Sequence, residues 1–325
     1  MNKIVSILVR INRESTKMDY KSAVNINEAH SRIKPFIHKT PVLTSQLIDE
    51  IAGCSIYFKC ENFQKVGAFK MRGALNAVLK LIEKGKIKSV ATHSSGNHAQ
   101  ALSLAARNYG LKAYIVMPNN APQVKKDAVL GYGAEIIECE PNLAAREGTL
   151  EEVLKKTNAS FVPPYNHIDI IEGQGTTALE LLNEISDLDI VSCPVGGGGL
   201  LSGTILACES FNSTIKVFAG EPEGANDAFL SLQKKKLVPL ESPNTIADGL
   251  LTSLGEINWE IISKSSCTIL TVTDDEIVEA MKLIYTRLKI IVEPSSAVPM
   301  AMILKYPSKF KNKKVGLILS GGNVD

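Results

Sequence analysis

One lysine, Lys70, stands in the segment Gly67-Ala68-Phe69-Lys70-Met71-Arg72-Gly73, at the expected start of a helix running from Met71. A lysine so placed can lose its proton to burial and act as a Schiff-base nucleophile, although by spacing alone an exposed helix lysine is the commoner case. Gly196-Gly197-Gly198-Gly199 lies between an apolar strand and a helix beginning near Leu200. Glycines allow close backbone approach, and a helix N-terminus attracts an anion, so this turn reads as a phosphate cradle or, more plainly, as a tight structural turn. No Gly-Lys-Ser/Thr follows it, and the dinucleotide pattern fails because Ser202 stands where a glycine or alanine is needed. Ser94-Ser95-Gly96-Asn97-His98 bridges another strand and helix. Its amides could hold a substrate carboxylate, with Ser95 a proton carrier and Asn97 a donor; simple helix capping by serine is the alternative. Glu221, Asp227 and the carbonyl of Ala225 offer oxygen ligands suited to Mg²⁺ or Ca²⁺, or else form a solvated acidic loop.

The elements that must position these groups alternate strand with helix. Strands are expected at 89–92, 112–117 and 134–139, with helices at 97–109, 122–131 and 143–157, and another short unit starting at Phe161-Val162. A second series has a helix at 174–186, strands at 189–195, 216–220, 268–272 and 315–319, and a helix through about 288 for which Asp274 is the expected N-cap. Near-continuous apolar strands between helices mean parallel sheets covered on both faces, and two such runs suggest two α/β domains with a cleft between them. Ligands bind at the carboxyl ends of parallel strands. The turns at Ser94–His98, Gly196–Gly199 and Ser320-Gly321-Gly322-Asn323 all fall there.

These motifs, with His38-Lys39-Thr40-Pro41-Val42-Leu43-Thr44-Ser45, Gly173-Gln174-Gly175-Thr176 and Ile246-Ala247-Asp248-Gly249-Leu250, resemble those of the fold-type II pyridoxal-phosphate enzymes. Within that family the chain is most similar to serine racemases and the related serine/threonine dehydratases, from about residue 20 to 325. The resemblance implies two doubly wound α/β domains enclosing the cofactor: a large one from 18–82 and 166–325, and a small one from 83–165. It implies that Lys70 carries pyridoxal 5'-phosphate, Phe69 packs beside it, Asn97 bonds its phenolic oxygen, Gly196 to Gly199 and Leu200 hold the phosphate, and Ser320 faces the pyridine nitrogen. A hydroxyl there does not enforce a protonated ring, which favours elimination over transamination. Ser94, Ser95, Gly96, Asn97, His98 and Arg146 would meet the substrate, Arg146 as a gating residue. Tyr165-Asn166 occupies a loop that supplies an asparagine near the cofactor in relatives, and its register there is left open by the sequence.

Racemisation removes a proton from one face of a carbon and returns it on the other, which two acid/base groups do best. Lys70 is one; Ser95 matches the family's second base, where many threonine dehydratases carry alanine. Both racemisation and elimination of serine to pyruvate and ammonia are therefore expected. The alternatives are a threonine/serine dehydratase without useful racemisation, more remotely a β-replacement enzyme, and, in another class, a silent amino-acid or nucleotide sensor. The Glu221/Ala225/Asp227 spacing matches the family's divalent-cation site. Lys65, Gln100, Tyr132, Lys289 and Asn323 match positions of an ATP site at the dimer interface of some eukaryotic relatives, so a homodimer with ATP as activator is implied.

The bulk composition agrees with such a molecule. A 325-residue chain with 45% hydrophobic residues can bury a large core, and a formal net charge of +2 without a long basic block argues against nucleic acid. Six scattered cysteines without a CxxC pair read as reduced thiols in the cytoplasm, and no apolar stretch reaches the roughly 18 residues of a membrane span. The first 17 residues carry +3, leaving −1 for the rest, with an apolar run from Ile4 to Ile11. A disordered extension, a start at Met18 or a targeting segment would each explain them. No regulatory domain is expected after the core, and an end at Asp325 is shorter than relatives usually have, which would weaken packing or the dimer.

Overall fold

The computed structural model describes residues 20–85 and 87–324. The expectations for the first 17 residues and for the end at Asp325 lie outside the described residues.

Ten strands form two sheets among the described residues. In chain order they are β1 (Val42–Leu43), β2 (Ser55–Cys60), β3 (Ser89–His93), β4 (Lys112–Pro118), β5 (Glu135–Cys139), β6 (Ser160–Phe161), β7 (Ile190–Pro194), β8 (Lys216–Pro222), β9 (Thr268–Val272) and β10 (Lys314–Leu319). The larger sheet has the order β1-β2-β10-β7-β8-β9, the smaller β5-β4-β3-β6. Every pairing is parallel except β1 with β2, which the sequence did not announce because two residues carry no period. Central strands read as apolar on both faces because both are covered: Val315, Leu317, Ile318 and Leu319 of β10 are all wholly buried.

The helices that matter for the site are α1 (Ile26–Ile33), α2 (Lys70–Lys84), α3 (Asn97–Asn108), α4 (Gln123–Gly131), α5 (Leu143–Thr157), α6 (Ile168–Glu184), α7 (Gly199–Phe211), α8 (Asp227–Lys234), α9 (Glu256–Ile262), α10 (Asp274–Leu288) and α11 (Pro294–Lys305). Two boundaries correct the sequence reading. α6 begins at Ile168, six residues before the expected 174, because the His167 side chain accepts from the Asp169 amide and caps the new start. The glycines in its first turns serve close packing: a Cβ on Gly173 would sit 2.6 Å from the Arg72 carbonyl. α10 is capped by Thr273 rather than Asp274, in a reciprocal capping box with Glu276.

Beneath Lys70 lies a buried ionic network. Arg72 donates to Glu61 at 2.7 Å and to Glu180 at 2.8 Å, and Lys59 reaches Glu180 at 2.8 Å. Arg72, Lys59 and Glu61 are fully buried. Burial alone would discharge these groups; the neighbouring cations instead hold Glu180 well below the usual carboxylate range, and the two carboxylates hold Arg72 above its own. Two cations and two anions cancel, so α2 is pinned to β2 and α6 at a specific rotation, which fixes where Lys70 points.

The cysteines are all free, five buried and Cys267 half-buried. Among the described residues no helix is long and apolar enough to cross a membrane.

Candidate active site

The three turns singled out in the sequence do follow β3, β7 and β10 at their carboxyl ends. The Lys70 segment is sewn to the last of them by backbone bonds: Phe69 N donates to Ser320 O at 3.0 Å, Gly322 N to Gly67 O at 2.9 Å, and Ala68 bridges Gly321. Gly67 has φ +67°, and a Cβ there would lie 2.6 Å from Asn323 Oδ1, so the close crossing needs glycine. Ser320 is thereby held, 2% exposed, beside the lysine.

Lys70 Nζ donates to the Pro164 carbonyl at 2.9 Å and stands 5.3 Å from the Phe69 ring centre. Burial pushes its pKa down to about 8, against the opposing pull of Glu293. An amine of that acidity is partly unprotonated near neutral pH, which a nucleophile or base requires. Glu293 itself is 3% exposed and pushed up to about 7 by burial. It receives Asn97 Nδ2 on both oxygens, at 3.1 and 3.0 Å, while Asn97 Oδ1 accepts from Asn323 Nδ2 at 2.8 Å. Asn97 therefore spans Glu293 and Asn323. Glu293 was missed there; its only local signal is its place before Pro294, the first residue of α11.

Within the glycine tetrad, Gly198 has a φ of +92° and is the left-handed N-cap of α7, which Gly199 begins. Asn258 Nδ2 and Gly255 N both donate to Gly197 O, at 2.7 and 3.1 Å, fixing the loop against α9. The Tyr165 ring lies so close that a Cβ on Gly197 would be 2.4 Å from it. Asn166 Oδ1 accepts from Ile257 N at 3.0 Å at the start of α9. The 164–166 loop thus gives one carbonyl to Lys70, one ring to the tetrad and one amide side chain to α9. Leu200 follows, buried, in the first turn of α7.

In the third turn Gly96 takes the N-cap of α3, so neither serine caps the helix from that position; Ser94 Oγ instead accepts from Gly96 N at 3.3 Å. His98 Nε2 meets Val162 O at 3.1 Å. A carbonyl only accepts, so Nε2 carries the hydrogen and Nδ1 is left a buried acceptor without a partner. Burial and nearby Lys70 push the His98 pKa down to about 3, so the ring is neutral. Arg146, on α5, is half-buried with an unpartnered Nε, close enough to His93 to lower that ring's pKa as the second cause after burial.

An amine of lowered pKa, a glycine-rich helix start and a serine turn fit an aldehyde cofactor carrying a phosphate. The sequence profile of the pyridoxal-phosphate dependent enzymes matches residues 33–321. The chain belongs to this family. As a pyridoxal-phosphate enzyme it is 51% identical to the serine racemase of Dictyostelium discoideum, over 93% of this chain and 94% of that one. It is 50% identical to the β-hydroxyaspartate dehydratase of Paracoccus denitrificans, over 91% and 94%. The crystal structure of the Dictyostelium discoideum serine racemase superimposes with a TM-score of 0.88 at 50% identity, covering 92% of this chain and 97% of the other.

Away from the lysine, this pyridoxal-phosphate enzyme carries two acids in a second buried site. Glu221 accepts from the amides of Ala228 and Phe229 at 3.0 and 2.8 Å, at the start of α8, and Asp227 Oδ2 accepts from Leu254 N at 2.7 Å. Asp227 Oδ1 is buried without a partner. Burial and mutual repulsion hold Glu221 well above the usual carboxylate range, and burial pushes Asp227 up to about 6. Ala225 is buried just before α8. Among the described residues no group of three or more His, Cys, Asp or Glu is placed to hold a metal. Of the residues matched to an ATP site, Asn323 Nδ2 reaches Val66 O at 2.8 Å next to Lys65, and Gln100 is buried on α3 near that turn. Tyr132 instead stacks on Arg107, 5.7 Å away at the far end of α3, and Lys289 ends α10 in a left-handed conformation.

Proposed function

We propose that this chain interconverts L- and D-serine and also eliminates serine to pyruvate and ammonia. The observation that carries the reading is a lysine amine of lowered pKa set beside a strand-to-helix turn whose Ser95 is not spent on capping. Lys70 would anchor the cofactor and exchange the α-proton on one face; Ser95 would exchange it on the other. Amides of Ser94 to Asn97 at the α3 N-terminus suit the substrate carboxylate, with Arg146 and His98 bordering it. Gly196 to Gly199 and Leu200 suit the phosphate, Phe69 the ring face and Ser320 the ring nitrogen. When bound, pyridoxal phosphate supplies the electron delocalisation that makes the α-proton acidic. The relatives named serine racemase and β-hydroxyaspartate dehydratase support an isomerase that also acts as a lyase. Incubating the cofactor-loaded protein with L-serine and measuring D-serine and pyruvate together tests this: both are expected, and pyruvate without D-serine would make it a dehydratase.

The same reading places a divalent cation between Glu221, Asp227 and the Ala225 carbonyl, supported by the orphaned Asp227 oxygen and the raised acids. Without a cation the folded state binds more protons than the unfolded one between the ordinary aspartate value of 3.8 and about 6. Stability should therefore fall as pH rises through that window. Adding Mg²⁺ or Ca²⁺ should abolish the fall and, at about 100 times its Kd, stabilise by about 2.7 kcal/mol. Calorimetry with either cation, with EDTA and with Asp227→Asn checks this; an unaltered melting temperature on cation addition counts against the site. ATP activation through Lys65, Gln100, Tyr132, Lys289 and Asn323, a homodimer, a cytoplasmic setting and the 18–82/166–325 and 83–165 division complete the proposal.

A further inference from the structure

We infer that Lys125 and Asp248 form a positioning pair that holds the substrate turn of the smaller sheet's unit against the glycine cradle, and so sets the affinity for the amino acid. The inference rests on the serine reading above. Lys125 lies in α4, on the unit built around β3 to β6; Asp248 opens the single turn Asp248–Leu250 on the other unit. Their Nζ and Oδ2 atoms are 2.6 Å apart, with the lysine side chain 15% and the aspartate 46% exposed.

Each partner is one step from the site. Behind Asp248, Gly249 N donates to Ser295 Oγ at 3.0 Å, and Leu250 is packed so tightly on the tetrad that a Cβ at Gly196 would touch its Cα at 3.0 Å. Behind Lys125, α4 packs on α3, the helix that the Ser94–Gly96 turn leads into and Asn97 begins. The ion pair therefore links the wall of the cradle to the wall that carries the substrate turn. The same two units are also linked by Asn97 on Glu293 and Asn323 and by Lys70 on the Pro164 carbonyl; this pair adds a half-exposed ionic link to them. The two charges also reach inward with opposite sign: Asp248 raises the Glu293 pKa and Lys125 lowers it. The neighbouring Lys126 is engaged within its own unit, by Glu138 and the Asn119 carbonyl. A half-exposed ion pair is a weak contributor to global stability and is screened by salt, so its effect should appear in substrate affinity and not in folding.

The test uses the cofactor-loaded full chain and follows pyruvate from L-serine. Lys125→Met and Asp248→Asn should each raise KM about three- to ten-fold with kcat within about two-fold, a split that a purely structural lesion would not produce. The exchanged double variant, Lys125→Asp with Asp248→Lys, should bring KM back to within about two-fold of wild type. Raising NaCl from about 0.05 to about 0.5 M should raise KM of the wild type and leave that of the doubly neutral variant unchanged. Single variants with wild-type KM, or an exchanged variant that melts normally yet is not rescued, overturn the pair while leaving the serine reading intact. Wild-type protein inert toward L-serine overturns the serine reading and this inference with it.

Discussion

Replacing Lys70 by alanine should abolish both D-serine and pyruvate formation, by about 10⁴-fold or more. That corresponds to at least about 5 kcal/mol of lost transition-state stabilisation. The expectation follows from the setting of Lys70 next to the Ser320 turn, where burial brings its pKa from 10.5 to about 8. The unprotonated amine is the reactive form, so loading of cofactor-free protein should speed up as pH rises toward and through about 8. Wild-type protein loaded with pyridoxal phosphate should show a visible band near about 410–420 nm that Lys70→Ala lacks. A variant that keeps both the band and more than a tenth of the activity would remove Lys70 from the centre of the reaction. The ionic network of Arg72 beneath it is untouched by this substitution, so a loss of fold should not confuse the outcome.

Ser95→Ala should separate the two activities. Racemisation needs a second proton carrier on the far face and should fall about 10²- to 10⁴-fold, whereas elimination from L-serine needs only the Lys70 face and should fall by less than about ten-fold. Since Gly96 and not Ser95 caps α3, the variant should escape the roughly 0.5–2 kcal/mol that losing a serine cap costs, and should melt close to wild type. Equal loss of both activities, at unchanged melting temperature, would refute the assignment of two bases. Measuring both products from both enantiomers provides the comparison, because elimination from D-serine should suffer more than elimination from L-serine.

The order of strands and helices from β3 to β7, the parallel sheets and the three turns at strand ends were legible in the sequence, because apolar period and glycine turns are local signals. So was the placement of Lys70 at a helix start, and of the tetrad and Ser320 at strand ends. The two-residue β1 and the early start of α6 were not: one is too short for a period, and the other depends on glycines made tolerable by contacts with α2 and α7. Above all, tertiary structure decided what each site residue touches. Lys70 finds Pro164, 94 residues away, and Asn97 finds Glu293, 196 residues away. No local pattern encodes such partners, since they meet only when segments far apart in the chain are brought together by the fold. The sequence determined which side chains could do chemistry; burial and long-range contact decided that the lysine is weakly basic, that Glu293 is near enough to raise its pKa against burial, and that Asn97 bonds Glu293 and Asn323.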